Sequence, residues 1–154
     1  MKGKFFGWTA PKNQMIMTRR EAREVIFELL FESEFRKDET AEEIFYSSVE
    51  NREIEEDELV KRAYFAIAAK CDEIDARIGE HANGWKTHRL TNVSRSVLRL
   101  AVYEMLFEDS IPYNVSINEA VEIAKKYDEE KARPFINGVL NSVKNELEAQ
   151  GKTK

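Results

Sequence analysis

The residues best suited to chemistry are three arginines and two phenylalanines near the start of the chain. Arg19, Arg20 and Arg23 lie just ahead of Phe27 and Phe31. At helical spacing all five fall in one sector. That sector lies between an apolar stripe (Ala22, Val25, Ile26, Leu29) and an acidic one (Glu21, Glu24, Glu28, Glu32). Guanidinium groups neutralise phosphates and rings offer a stacking face to any base, so the pattern suits a single-stranded nucleic acid. It equally describes a helix whose two rings pack beneath neighbouring helices while its arginines stay solvated. The helical wheel leaves both readings open.

Other chemistry is hard to find. His81, His88 and Cys71 have no metal-ligand spacing. No glycine-rich phosphate loop or dinucleotide fingerprint occurs, and no serine or cysteine has an obvious base partner. The carboxylates come as solvated stripes and runs. The expectation is a binding protein with no enzymatic activity, no cofactor and no metal. A lone cysteine excludes an internal disulfide and fits a reducing cytoplasm.

These residues need a scaffold, and the sequence predicts helices throughout. Thr18-Arg-Arg-Glu21 is a capping box opening a helix that runs to about Arg36. A second box, Thr40-Ala-Glu-Glu43, starts a short helix. A longer apolar periodicity follows through Leu59, Val60, Ala63, Tyr64, Ile67 and Cys71. After a break it continues through Ile74 and Ile78 to a stop at Asn83-Gly84. Residues 95–107 are apolar all round, as befits a helix in the middle of a bundle. Its charges are misplaced for a helix dipole, with Arg95 and Arg99 in the N-terminal half and Glu104 and Glu108 towards the other end. They are either rim residues paired with neighbouring helices or part of a docking surface. Ser116-Ile-Asn-Glu119 reads as a third capping box. Pro134 is placed to open the last helix, which buries Ile136, Val139, Leu140, Val143 and Leu147. Phe135 lies at the edge of that stripe, beside Lys131 and Arg133, and Gly138 reads as a site of close helix approach.

The fold class is therefore all-α: one domain, residues 17–149, of six or seven helices around a buried central helix. Residues 1–16 lack periodicity and read as a disordered extension, and 150–154 as a tail. The chain of 154 residues has a net charge of −5, yet residues 1–23 carry +5. Ten carboxylates between Asp38 and Glu58 face one basic residue, Arg52. An acidic body with a basic end suits an anionic partner bound at one place. No apolar run approaches a membrane span.

Four stretches together resemble the NusB family of transcription antitermination factors. They are Arg19-Arg-Glu-Ala-Arg-Glu24, Leu90-Thr-Asn-Val-Ser-Arg-Ser-Val-Leu-Arg-Leu-Ala-Val-Tyr-Glu104, Ile111-Pro-Tyr-Asn-Val-Ser-Ile-Asn-Glu-Ala-Val-Glu-Ile-Ala-Lys125 and Phe135-Ile-Asn-Gly-Val-Leu140. The resemblance covers about residues 17–147, with 37–84 matched mainly in pattern. It departs at Glu21, Ser94 and Asn141. It implies an all-helical protein that binds boxA RNA of nascent rRNA transcripts together with the ribosomal protein NusE. NusA, NusG and RNA polymerase would complete the termination-resistant complex. On this resemblance the RNA-binding residues are Arg19, Arg20, Arg23, Phe31, Lys131 and Phe135. NusE docks around Trp85 and the start of the central helix, with Arg95, Arg99 and Glu104 as partner-facing residues. The rival reading is a protein-only adaptor that docks NusE, or a second copy of itself in a homodimer, without touching RNA.

Overall fold

The computed structural model describes residues 17–52, 54–83 and 90–154. Among them are seven α-helices and no strand. They are α1 (Arg19–Ser33), α2 (Ala41–Arg52), α3 (Glu58–Ala69), α4 (Cys71–His81), α5 (Asn92–Phe107), α6 (Tyr113–Tyr127) and α7 (Ala132–Ala149). The expected disordered extension, residues 1–16, lies outside the described residues.

Local hydrogen bonding fixes where the helices begin. The Thr18 hydroxyl accepts from the Glu21 amide at 3.0 Å, and the Glu21 carboxylate accepts from the Thr18 amide at 2.8 Å. Thr40 and Glu43 repeat the exchange at 3.1 and 2.7 Å. Asp57 caps α3 through the Val60 amide, and Thr91 caps α5 through the Ser94 amide. Each such cap contributes on the order of 1 kcal/mol. The break in the long periodicity falls at Lys70, between α3 and α4. Beyond α4, Asn83 takes a left-handed conformation (φ 51°), which an asparagine tolerates where the chain must leave a helix.

Three local expectations need correction. Ser116 and Glu119 form no capping box: α6 starts at Tyr113 behind Pro112, whose extended conformation (φ −60°, ψ 147°) serves as the cap. The spacing Ser-x-x-Glu also occurs inside a helix, where it puts both residues on one face, and that is what happens here. Pro134 is the third residue of α7, not the first. Its missing amide is harmless anywhere in the first turn, where no intrahelical acceptor exists. Gly138 is exposed, and a side chain there would meet nothing within 4 Å. It marks no close helix approach.

Helix α5 is the axis of the bundle and packs against α1, α3, α4, α6 and α7. Its side chains from Ser94 to Met105 are buried, apart from half-buried Arg99. The four charges that oppose its dipole all point to carboxylates or cations on other helices. Arg95 donates to Glu34, to Asn92 and to the Leu90 carbonyl. Arg99 forks onto Asp75 at 2.8 and 2.7 Å and reaches Glu34 at 3.1 Å. Glu104 accepts from Arg23 at 2.8 Å and from Ser116 at 2.7 Å. Glu108 accepts from Arg62 and Tyr103, each at 2.7 Å. Ionic contacts thus tie α5 to α1, α3 and α4, and the Ser116 hydrogen bond ties it to α6. The C-terminal carbonyls of α5 gain a cation from far along the chain: Lys154 Nζ donates to the Glu104 and Glu108 carbonyls at 2.9 and 2.8 Å.

Candidate nucleic-acid interface

Helix α1 carries the predicted arginines, but the structure divides them. Arg19 and Arg20 are exposed, whereas Arg23 is buried. The difference follows from neighbours. Arg23 points towards α5, where Glu104 and the Ser116 hydroxyl complete a buried polar knot. Arg20 points along α6 and forks onto Glu119, with Nε to Oε1 at 3.0 Å and Nη2 to Oε2 at 2.8 Å. Arg23 Nη1 approaches the same carboxylate at 3.8 Å. The Arg20 hydrogen bonds, chiefly, hold the Glu119 carboxyl below its ordinary 4.5 despite the opposing effect of burial. Arg19, Arg20, Arg23, Ile111, Val115 and Glu119 border an open hollow between α1 and the start of α6.

The rings divide as well. Phe27, placed by the wheel beside the arginines, is a core residue, its ring 4.8 Å from Tyr127 and 6.1 Å from Phe31. Phe31 is half-buried and meets Phe35 edge-on at 5.1 Å, and Phe35 is 65% exposed. Phe27, Phe31, Phe35, Val93 and Tyr127 line an open aromatic groove whose rim includes Glu28 and Glu32. From Arg19 to Phe31 the rise along α1 is about 18 Å, so cationic hollow and aromatic groove lie on one helix, end to end. Lys131 is exposed, and Phe135 is half-buried against the core; neither lines the hollow or the groove. The buried Arg133 Nε beside them has no hydrogen-bond partner among the described residues.

The residues expected to meet a protein partner are placed differently. Trp85 lies outside the described residues. Arg95, Arg99 and Glu104 are turned inward, with side-chain exposures of only 9%, 14% and 7%. They are interior ion pairs and offer a partner little surface. Burial pushes the Glu34 carboxyl up, but hydrogen bonds from Arg95 and the charges of Arg95 and Arg99 bring it below its ordinary value.

Sequence reasoning missed Phe35, Tyr127 and Glu119. Phe35 continues the Phe27, Phe31 spacing by one more turn and was within reach of the wheel. Nothing local announces Tyr127 or Glu119. One serine meets an imidazole that no sequence motif announces. His81 lies between the Ser142 hydroxyl (2.7 Å) and Glu146 (3.0 Å), linking α4 to α7. Ser142 sits inside α7, where the helix engages the backbone amides, so its own helix offers no amides to an oxyanion. Glu80, His81 and Glu146 place ligand atoms within 4.8 Å of one another. Arg77 donates to the same Glu146 oxygen as His81, so that carboxylate already has its cation.

Among the described residues, seven helices with a cationic and an aromatic surface along one of them make an all-α domain. The sequence model described as the NusB family matches residues 20–145. The transcription antitermination protein NusB of Agathobacter rectalis is 46% identical over 127 residues, covering 80% of this chain and 97% of the relative. The chain belongs to the NusB family of transcription antitermination proteins. Its fold is similar to that of a T. maritima NusB (TM-score 0.72, 38% identity, covering 84% of this chain and 92% of that one). It also resembles a chain in a complex of the antitermination factors NusB and NusE with double-stranded RNA (TM-score 0.72, 33% identity, 81% and 94% covered). Among the described residues no helix is long and apolar enough to cross a membrane.

Proposed function

We propose that this protein is a non-enzymatic, cytoplasmic antitermination factor that binds boxA-type single-stranded RNA on α1 and acts with NusE. NusA, NusG and RNA polymerase would complete the assembly. The observation that carries the reading is the alignment on α1 of the exposed arginines with the Phe31–Phe35 groove. Arg19 and Arg20 take phosphates, and Phe31 and Phe35 offer faces to bases. Lys131, at the N-cap of α7, and Phe135, in its first turn, extend the contact. Arg23 supports the surface from beneath by holding Glu104. NusE docks at the corner between α4 and α5. Arg95 shapes that corner from inside, since it binds the Leu90 carbonyl and Asn92 where the chain enters α5. The complex of NusB and NusE with RNA supports both partners for a chain of this family.

The test is binding of a labelled boxA-like RNA across a salt series, with and without NusE, for wild type, Arg20→Glu and Phe135→Ala. The expected result is binding tightened by NusE and weakened in both variants. Each lost phosphate contact should flatten the salt dependence by roughly 0.7 for a single strand. Binding indifferent to both substitutions would favour the protein-only adaptor, with RNA held by NusE.

A further inference from the structure

Glu119, the glutamate of the motif that proved not to be a cap, sits in the middle of the arginine hollow. Both its oxygens are engaged by Arg20, and one of them also faces Arg23 Nη1 at 3.8 Å. The anion is recessed and the cation is outside: side-chain exposures are 16% for Glu119 and 64% for Arg20. The engaged edge of Arg20, Nε and Nη2, is one of the two that can grip a phosphate in a two-point fork. A phosphate arriving at that edge therefore meets a carboxylate already in place. The surroundings add to the competition, because Glu24 and Glu122 also raise the Arg20 pKa from nearby, though Glu119 dominates.

We propose that Glu119 is an internal competitor for RNA phosphate on Arg20, a deepening of the RNA-binding reading on which it rests. In the free protein it neutralises an exposed cation of the hollow. When RNA takes Arg20, Glu119 turns to Arg23, whose Nη1 faces it while Glu104 holds its Nε. The displaced carboxylate keeps a cationic partner, so the exchange is cheap enough to occur. It is still a loss relative to an open arginine. Polyanions that offer phosphate alone bind weakly, and ligands that also fill the aromatic groove bind well. Selectivity then comes from weakening the sequence-blind part of the interaction.

Counter-ion release gives this exchange a signature. A phosphate that displaces Glu119 releases cations from the RNA, but the freed carboxylate attracts some back, so the salt dependence is shallower than the contact count implies. The experiment measures binding of a labelled single-stranded RNA oligonucleotide across a salt series for wild type, Glu119→Gln, Arg20→Ala and the double variant, with thermal melts alongside. Glu119→Gln should bind roughly three- to tenfold tighter at low salt, from removal of one close charge. Its log–log salt slope should be steeper by up to about 0.7. Both effects should vanish once Arg20 is alanine. Glu119→Asp keeps the charge but shortens the reach, and should fall between wild type and Glu119→Gln. It serves as the test variant if the glutamine protein fails to fold. A folded variant that binds no tighter than wild type, or a gain that persists without Arg20, overturns the proposal. If wild type binds, Arg20→Ala weakens it and Glu119→Gln leaves it unchanged, only the competitor falls. No RNA binding by wild type would overturn the RNA reading along with it.

Discussion

The two ends of α1 carry the same chemistry in opposite settings. At the C-terminal end Glu34 is clasped by Arg95 and Arg99 of α5, all three nearly closed off from water. At the N-terminal end Arg20 holds Glu119 of α6 with its own guanidinium largely in solvent. A buried pair has no competitor for either partner, so it fixes the register of the helices, and removing one member strands the other. An open pair contributes little to stability but can exchange partners. Arg23 stands between the two regimes. It is buried like Arg95, yet its second nitrogen faces the exchangeable carboxylate. One helix thus has a structural end and an exchangeable end, distinguished by exposure and not by residue type.

The largest effect should come from crossing that line. Arg23→Ala strands Glu104 in the interior and should cost about 3–5 kcal/mol in urea unfolding, whereas Arg20→Ala should leave the midpoint unchanged. Equal destabilisation by the two would erase the distinction between the regimes. Next in size, Phe35→Ala should weaken RNA binding by about 1–3 kcal/mol, the range for loss of a stacking face, with the melting temperature unaffected. RNA binding unmoved by this change would confine the nucleic acid to the arginine hollow.

Acid should sharpen the comparison further. Glu34, Glu108 and Glu119 all have carboxyls held below the ordinary 4.5. Depressed folded-state values stabilise the fold above 4.5, and that contribution disappears as pH falls through them. Melting temperature should therefore decline below about pH 4.5. Glu34→Gln should remove more of that decline than Glu119→Gln, as measured by melts from pH 6 downward. The smallest effect is expected at exposed Lys131. Its replacement by alanine should leave stability intact and flatten the salt dependence of RNA binding by roughly 0.7 at most.

What the sequence made legible depended on how local the signal was. The boxes at Thr18 and Thr40 need only residues within one turn, and both form their hydrogen bonds. The all-apolar run of α5 announced its central position, since no other environment tolerates it in water. The arginine–aromatic sector could be read for composition but not for direction. Arg23 turns inward because of Glu104, 81 positions away, and Arg20 is held by Glu119, 99 positions away. Ser116-Ile-Asn-Glu119 misled for a related reason: one spacing serves both a cap and a helix face, and only Pro112 decides between them. Arg95, Arg99 and Glu104 invited a docking role because their placement opposes the helix dipole. Their partners on α1 and α4 account for that placement.

Lys154 has a practical consequence for anyone handling the protein. Its ammonium rests on the Glu104 and Glu108 carbonyls and over the Tyr113 ring, 4.8 Å from the centroid. Glu104 and Glu108 also line a hollow with Arg19 and Arg23. An affinity tag fused after Lys154 would therefore emerge beside the arginine surface. An acidic epitope there adds carboxylates that compete for the proposed phosphate-binding arginines, and a polyhistidine tail adds cations once the pH falls below about 6.5. Binding measured on such fusions would report the tag as much as the protein, so a cleavable tag is the sounder choice.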